Sequence, residues 1–153
     1  PMQLEYDPVR YPDLGSFRKA CIAGDHGVMQ RIAEQRHAWY AVENPDDLPM
    51  ARLATIFKAQ HFASENDLAQ LTSIVSADPW VVNAPWTAQR WLPLSQATIH
   101  GDRAMLEFLL DAGADPTRVV GGDEERATIP EMARYSGKES VAEWLEEIIA
   151  GQR

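Results

Sequence analysis

The chain has 153 residues, of which 45% are hydrophobic and 24% charged, and its formal charge is −9. That length suits one domain or a short array of repeats, and that composition supports a packed core rather than wholesale disorder. The acidic balance argues against nucleic acid and anionic membrane as partners, because both recruit lysine and arginine, and it favours a basic or neutral partner.

In chain order, residues 2–15 read as an irregular arm that allows a short helix near Pro12-Asp13, without the charged-then-apolar pattern of a secretory leader. The lone cysteine, Cys21, rules out an intramolecular disulfide and a cysteine zinc site; a buried, inert thiol in a reducing, cytoplasmic setting is expected. A first helix pair is predicted over 16–35, turning at Gly24-Asp25. The connector "RHAWYAVENPDDLP" that follows is long and rich in aromatic and acidic residues. A second pair runs from about 49 to 77 and turns at Asn66-Asp67. The next connector, "DPWVVNAPWTAQRW", holds Trp80, Trp86 and Trp91, three of the five tryptophans. A third pair spans 92–112, turns at Gly101-Asp102 and stops at Gly113, where Pro116 prevents continuation. After the charged stretch "RVVGGDEER", a last pair covers 129–150 and turns at Gly137-Lys138. Its second helix should run on past the position matching Gly113, with Glu143, Glu146 and Glu147 giving a polar outer face that ends the array.

The pairs share one register. Met105, Leu106 and Leu109 follow Gly101 at offsets four, five and eight, one face of a helix. Val28, Met29 and Ile32 follow Gly24 at the same offsets, as do Val141, Ala142 and Leu145 after Gly137. Leu71 and Ile74 keep two of the three after Asn66. Asn66 lies 42 residues after Gly24, Gly101 35 after Asn66, and Gly137 36 after Gly101. Self-similarity at this period points to stacked helix-turn-helix units. The corner residues fit. Gly and Asn tolerate the left-handed backbone that ends a helix, and Asp25, Asp67 and Asp102 can cap the helix that follows at about 1 kcal/mol each.

The stretch "LPLSQATIHGDRAMLEFLLDAGADPT" (92–117) resembles an ankyrin repeat. Pro93, Leu94, Ala97, Gly101, Leu109, Leu110, Gly113, Ala114 and Asp115 match the family pattern, whereas Leu92, Ser95, Thr98 and Asp102 depart from it. "TIPEMARYSGKESVAEWLEEI" (128–148) resembles the next repeat, and the first two units match more loosely. The fold expected is therefore all-α, a solenoid of about four stacked ankyrin-like units at about 16–48, 49–86, 87–122 and 123–150. The resemblance implies a non-enzymatic module that binds a protein or peptide on a palm of first helices and finger-like connector tips. It places Ile22 and Ala23, Ser64 and Glu65, Ile99 and His100, and Tyr135 and Ser136 on the palm. Ala88, Gln89 and Trp91, then Glu124, Glu125 and Ala127, fall at the tips.

The binding residues singled out are Glu65, Gln89, Trp91, Ile99, His100, Glu124, Glu125 and Tyr135. Tryptophan and tyrosine are favoured anchors of binding surfaces; the plainer reading of Trp80 and Trp86 is cover for the core, and Trp144 reads as core. Asp123, Glu124 and Glu125 form an acidic finger able to receive lysine or arginine, or else a solvated charge run. His26, His37, His61 and His100 show no ligand spacing, so no metal and no cofactor are expected. No catalytic residue is assigned; His100 beside Tyr135 has the chemistry of a general base, its plainer role a palm contact. The competing reading is a small-molecule site or enzyme in which both long connectors roof an aromatic pocket, with His100, Tyr135, Glu65 or Arg90 as its polar groups. A third reading is a homodimer formed through the tryptophan connector.

Overall fold

The computed structural model describes residues 13–35 and 39–151. The expected N-terminal arm, apart from its last residues, and His37 lie outside them. The described chain is mostly helical. The first pair is α1 (Asp13–Ala23) and α2 (His26–Glu34), and a short α3 (Tyr40–Glu43) lies in the first long connector. The second pair is α4 (Met50–Ser64) and α5 (Leu68–Ala77), followed by a 3-10 turn over Pro79–Asn83. The third is α6 (Pro93–Ala97) and α7 (Arg103–Asp111), and the last is α8 (Ile129–Tyr135) and α9 (Glu139–Gly151). Between these last two pairs, β1 (Val119–Val120) and β2 (Ala127–Thr128) form an antiparallel hairpin that pairs Val119 with Thr128 and Val120 with Ala127.

The four corners adopt one geometry. Gly24, Asn66, Gly101 and Gly137 have φ of 71°, 57°, 68° and 74°, the left-handed region where glycine carries no Cβ penalty and asparagine is next best. The amide after the corner reaches back over the helix end in three of them: Asp25 donates to Ala20, Asp67 to Phe62 and Lys138 to Ala133. Asp25, Asp67 and Asp102 then cap the second helices, their carboxylates accepting from the amides of Val28, Gln70 and Ala104. In the last unit the cap is on α8 instead, where Thr128 and Glu131 bond reciprocally.

The first helices stand in a row, α1 against α4, α4 against α6 and α6 against α8, and each carries its own second helix behind it. One continuous core runs through them, from Leu14, Phe17 and Met29 through Leu53, Leu71 and Leu94 to Leu109, Ile129 and Leu145. Leu106 and Ala142, five residues after their corners, are fully buried, as the shared register requires. The corners also touch: Asn66 Nδ2 donates to Asp102 Oδ2 at 3.0 Å. Trp144 is not core. It is half-buried, like Phe108, with the Arg103 guanidinium 3.9 Å from its ring centre. The last helix does continue beyond the point matching Gly113, and Glu143, Glu146 and Glu147 are exposed along it. Among the described residues no helix is long and apolar enough to cross a membrane.

Candidate functional site

The connectors decide the shape of the face in front of this row. The second does not form a lid; its tryptophans turn inward. Trp86 and Trp91 pair across a tight antiparallel bridge and both are buried. The bridge turns through Thr87 and Arg90 at φ of 62° and 58°; for a β-branched residue such as Thr87 this is strained backbone, held by the bond from the Gln89 amide to its Oγ1. The Ala88 amide donates to the Val42 carbonyl, and the Gly121 amide to the Gln89 carbonyl at 2.6 Å. The end of α3 and the two hairpins are thereby tied side by side.

Three buried or half-buried polar groups fix the inner ends of these fingers. Glu43, only 3% exposed, accepts from Arg18 Nε and Nη2 at 3.0–3.2 Å and from Trp86 Nε1 at 3.0 Å. The Arg18 guanidinium also lies 4.7 Å from the Trp86 ring centre and 5.7 Å from that of Phe57. Gln60, buried on α4, donates from Nε2 to the carbonyls of Ala84 and Trp91, which clamps the hairpin to the row. Its Oε1 has no partner among the described residues. Cys21 is buried on α1. Burial first, and then the Glu43 charge, push its thiol up to about 12, which disfavours the thiolate a nucleophile needs.

Together the row and the fingers bound a groove of about 1130 Å³. Its lining follows the spacing from the corners. The residues five before each corner, Lys19, His61, Gln96 and Met132, all face it. So do those two before each corner, Ile22, Ser64, Ile99 and Tyr135. Positions three apart share a helix face, so the two sets form parallel rows crossing all four units. Phe57, Trp86 and Trp91 make an aromatic wall, and Glu124, Glu125 and Arg126 reach in from the second hairpin. His61 stacks on Phe57 with ring centres 5.7 Å apart.

Of the residues expected to bind, Trp91, Ile99, Glu124, Glu125 and Tyr135 come together here. Trp91 contributes as buried wall rather than as an exposed tip. Glu65, Gln89 and His100 do not line the groove. Glu65 and His100, each one residue before its corner, have already turned away to solvent, and Gln89 belongs to the joint between the hairpins. Arg90 pairs with Asp46 at 3.1 Å, also outside the groove. The row five before the corner and the Glu43–Arg18–Trp86 network were not anticipated. The row has a sequence signal, the three-residue spacing from the palm positions; the network has none. Among the described residues no group of three or more His, Cys, Asp or Glu side chains could hold a metal ion.

No family model matches the chain. Two curated relatives do, each named "NAD-capped RNA hydrolase NUDT12", from Macaca fascicularis and Pongo abelii. Each is 29% identical over 105 residues, which is 69% of this chain and 21% of the relative. The chain thus spans about a fifth of the length of the curated relatives it matches.

Proposed function

We propose that this chain is an ankyrin-like stack whose groove binds a protein or peptide segment, in a cytoplasmic setting where a single reduced cysteine is at home. The stack reading is supported by four helix pairs turning on left-handed corners, their first helices in one row, with hairpins projecting between units. The binding reading rests on one observation. Ile22, Ile99, Val119 and Tyr135 are the large hydrophobic side chains exposed among the described residues, and three of them converge in the groove. Ile22 is 38%, Ile99 45% and Tyr135 66% exposed. Scattered apolar residues are ordinary on a surface, but apolar residues from three different units gathered in one depression mark a place that another molecule covers.

Trp86 and Trp91 report on the groove directly. Titration with peptides should shift their emission, and Ile99→Asp and Tyr135→Ala should abolish the shift while leaving the circular dichroism unchanged. Equal binding by both variants would end the proposal.

A small-molecule or catalytic role is the second reading. Its support is the aromatic wall and the partial match to relatives named as hydrolases of NAD-capped RNA. The charge of −9 and the carboxylates of Glu124 and Glu125 in the groove oppose an RNA substrate, whose phosphates they repel. Incubation of the chain with NAD-capped RNA should return the RNA intact; turnover would favour the second reading.

A further inference from the structure

The groove is charged differently at its two ends. Arg18 is held by Glu43, and Arg126 is paired with Asp123 at 3.2 Å. Lys19, exposed on α1, and Glu124 and Glu125, exposed on the hairpin before α8, carry no ion pair among the described residues. All three line the groove, at opposite ends of the row α1, α4, α6, α8. Ile22 shares the α1 end with Lys19, and Met132 and Tyr135 share the α8 end with Glu124 and Glu125; between them lie Phe57, Ile99 and the Trp86–Trp91 wall, beside the polar His61, Ser64 and Gln96. A groove with apolar side chains along its length, cationic at one end and anionic at the other, complements an apolar ligand of the opposite charge pattern.

We infer that the groove takes an extended peptide with an acidic side chain at Lys19, large apolar side chains over Ile99 and Tyr135, and a lysine or arginine at Glu124–Glu125. This rests on the peptide-binding reading and specifies its partner. Four helices side by side are separated by three spacings of about 8–10 Å, or about 24–30 Å in all. Extended chain rises about 3.3 Å per residue, so about eight residues cross the row. The charges at the two ends set orientation and exclude segments of one sign, since like charges brought together cost more than opposite ones return at a solvated rim.

The test is a library of random linear twelve-residue peptides displayed on phage. It is selected on the full chain, on Lys19→Glu and on the double variant Glu124→Lys/Glu125→Lys. All three positions are exposed, and circular dichroism checks that each protein is folded. The full chain should enrich peptides acidic at one end, apolar in the centre and basic at the other. Lys19→Glu should convert the acidic end of the consensus to basic, and the double variant should convert the basic end to acidic. Each variant should bind a peptide selected on the unmodified chain about fivefold more weakly in fluorescence anisotropy, the scale of an exposed ion pair. The same consensus from all three proteins, or an apolar consensus without polarity, would overturn the inference and leave the peptide-binding reading standing. No enrichment, or enriched peptides that bind Ile99→Asp undiminished, would overturn both.

Discussion

Glu43→Ala is the most informative single change in the molecule. The carboxylate is 3% exposed and accepts from Arg18 and Trp86 together. Removing it takes a buried anion from a guanidinium whose side chain is only 19% exposed, and takes the acceptor from a buried indole N–H. Breaking a buried pair from one side costs about 3–5 kcal/mol, and an orphaned buried donor about 1–3 kcal/mol. The two overlap, because the space vacated by a methylene and a carboxylate lets Arg18 shift and its guanidinium reach the open groove. The expected loss is therefore about 3 kcal/mol. For a chain of this size that corresponds to about 6–12 °C in melting temperature. Urea unfolding followed by circular dichroism measures the first quantity, and a thermal scan the second. Glu43→Gln should cost less, since its amide oxygen can still accept from Trp86. The double variant Arg18→Met/Glu43→Leu should recover part of the loss, because replacing both charges removes the burial penalty along with the attraction. A cost below about 1 kcal/mol for Glu43→Ala, or a double variant no better than the single one, would refute the assignment of the network as the anchor of the first finger.

Other outcomes follow from the same geometry. At Gly101, with φ of 68°, a Cβ would sit 3.1 Å from Lys138 carbons and 3.3 Å from Val141 Cγ2, whereas at Gly24 a Cβ meets nothing within 4 Å. Gly24→Ala should cost about 1 kcal/mol for the left-handed backbone alone, and Gly101→Ala measurably more; equal losses in urea unfolding would deny that the third corner packs on the fourth unit. Gln60→Ala leaves the Ala84 carbonyl unpaired and takes a bond from that of Trp91, so a loss of about 1–3 kcal/mol and a red-shifted tryptophan emission are expected. The Cys21 thiol, ordinarily near 9.0 and here pushed up to about 12, should alkylate at pH 8 about a thousandfold more slowly than in urea. Because its folded value is raised, the unfolded chain loses this proton first, and stability should fall as pH rises from 9 toward 12. Asp102 is the opposite case. The hydrogen bond from Asn66, and then that from the Ala104 amide, hold its carboxyl below 3.8. Its contribution is present above that pH and lost as pH falls through the folded value, so Asp102→Asn should flatten the acid limb of the stability profile.

Which parts of this were legible in the sequence follows from the range of the forces involved. The corners were legible because their chemistry is local. A glycine or asparagine followed by aspartate states both a left-handed backbone and a cap within two residues, and all four corners have that backbone. The palm was half legible. Positions one and two before the corner look alike on paper, but they differ by about 100° around a helix. In the third unit Ile99 faces the groove while His100 faces water, although in the fourth Tyr135 and Ser136 both line it. Glu65 fails for the same reason, already lying in the turn after α4. Trp91 was placed on the right face at the wrong depth, because nothing nearby in sequence says that Gln60, 31 residues earlier, will bond its carbonyl. Glu43 is 25 residues from Arg18 and 43 from Trp86, and no periodic pattern carries a partnership over those separations.

The corner also separates the residues that make the fold from those that face the groove. Four before the corner, Ala20, Ala97 and Ala133 are buried and Phe62 half-buried; three before it, Cys21, Ala63 and Thr98 are buried. Close helix contact confines most of these positions to small or apolar groups; Arg134, three before the last corner, is the exception, half-buried and paired with Glu139 and Glu146. Five and two before the corner the same helices present lysine, histidine, glutamine and methionine, then isoleucine, serine, isoleucine and tyrosine. Side chains so unlike one another can occupy equivalent places because most of them are not needed to pack the row; Met132, which is buried in the core, is the exception. Lys19→Glu or Tyr135→Ala should for that reason leave stability within about 0.5 kcal/mol of the unmodified chain, the range of ordinary surface substitutions. A binding defect in either variant would then report the groove and not the fold, and a large loss of stability would show that the two sets of positions are not independent.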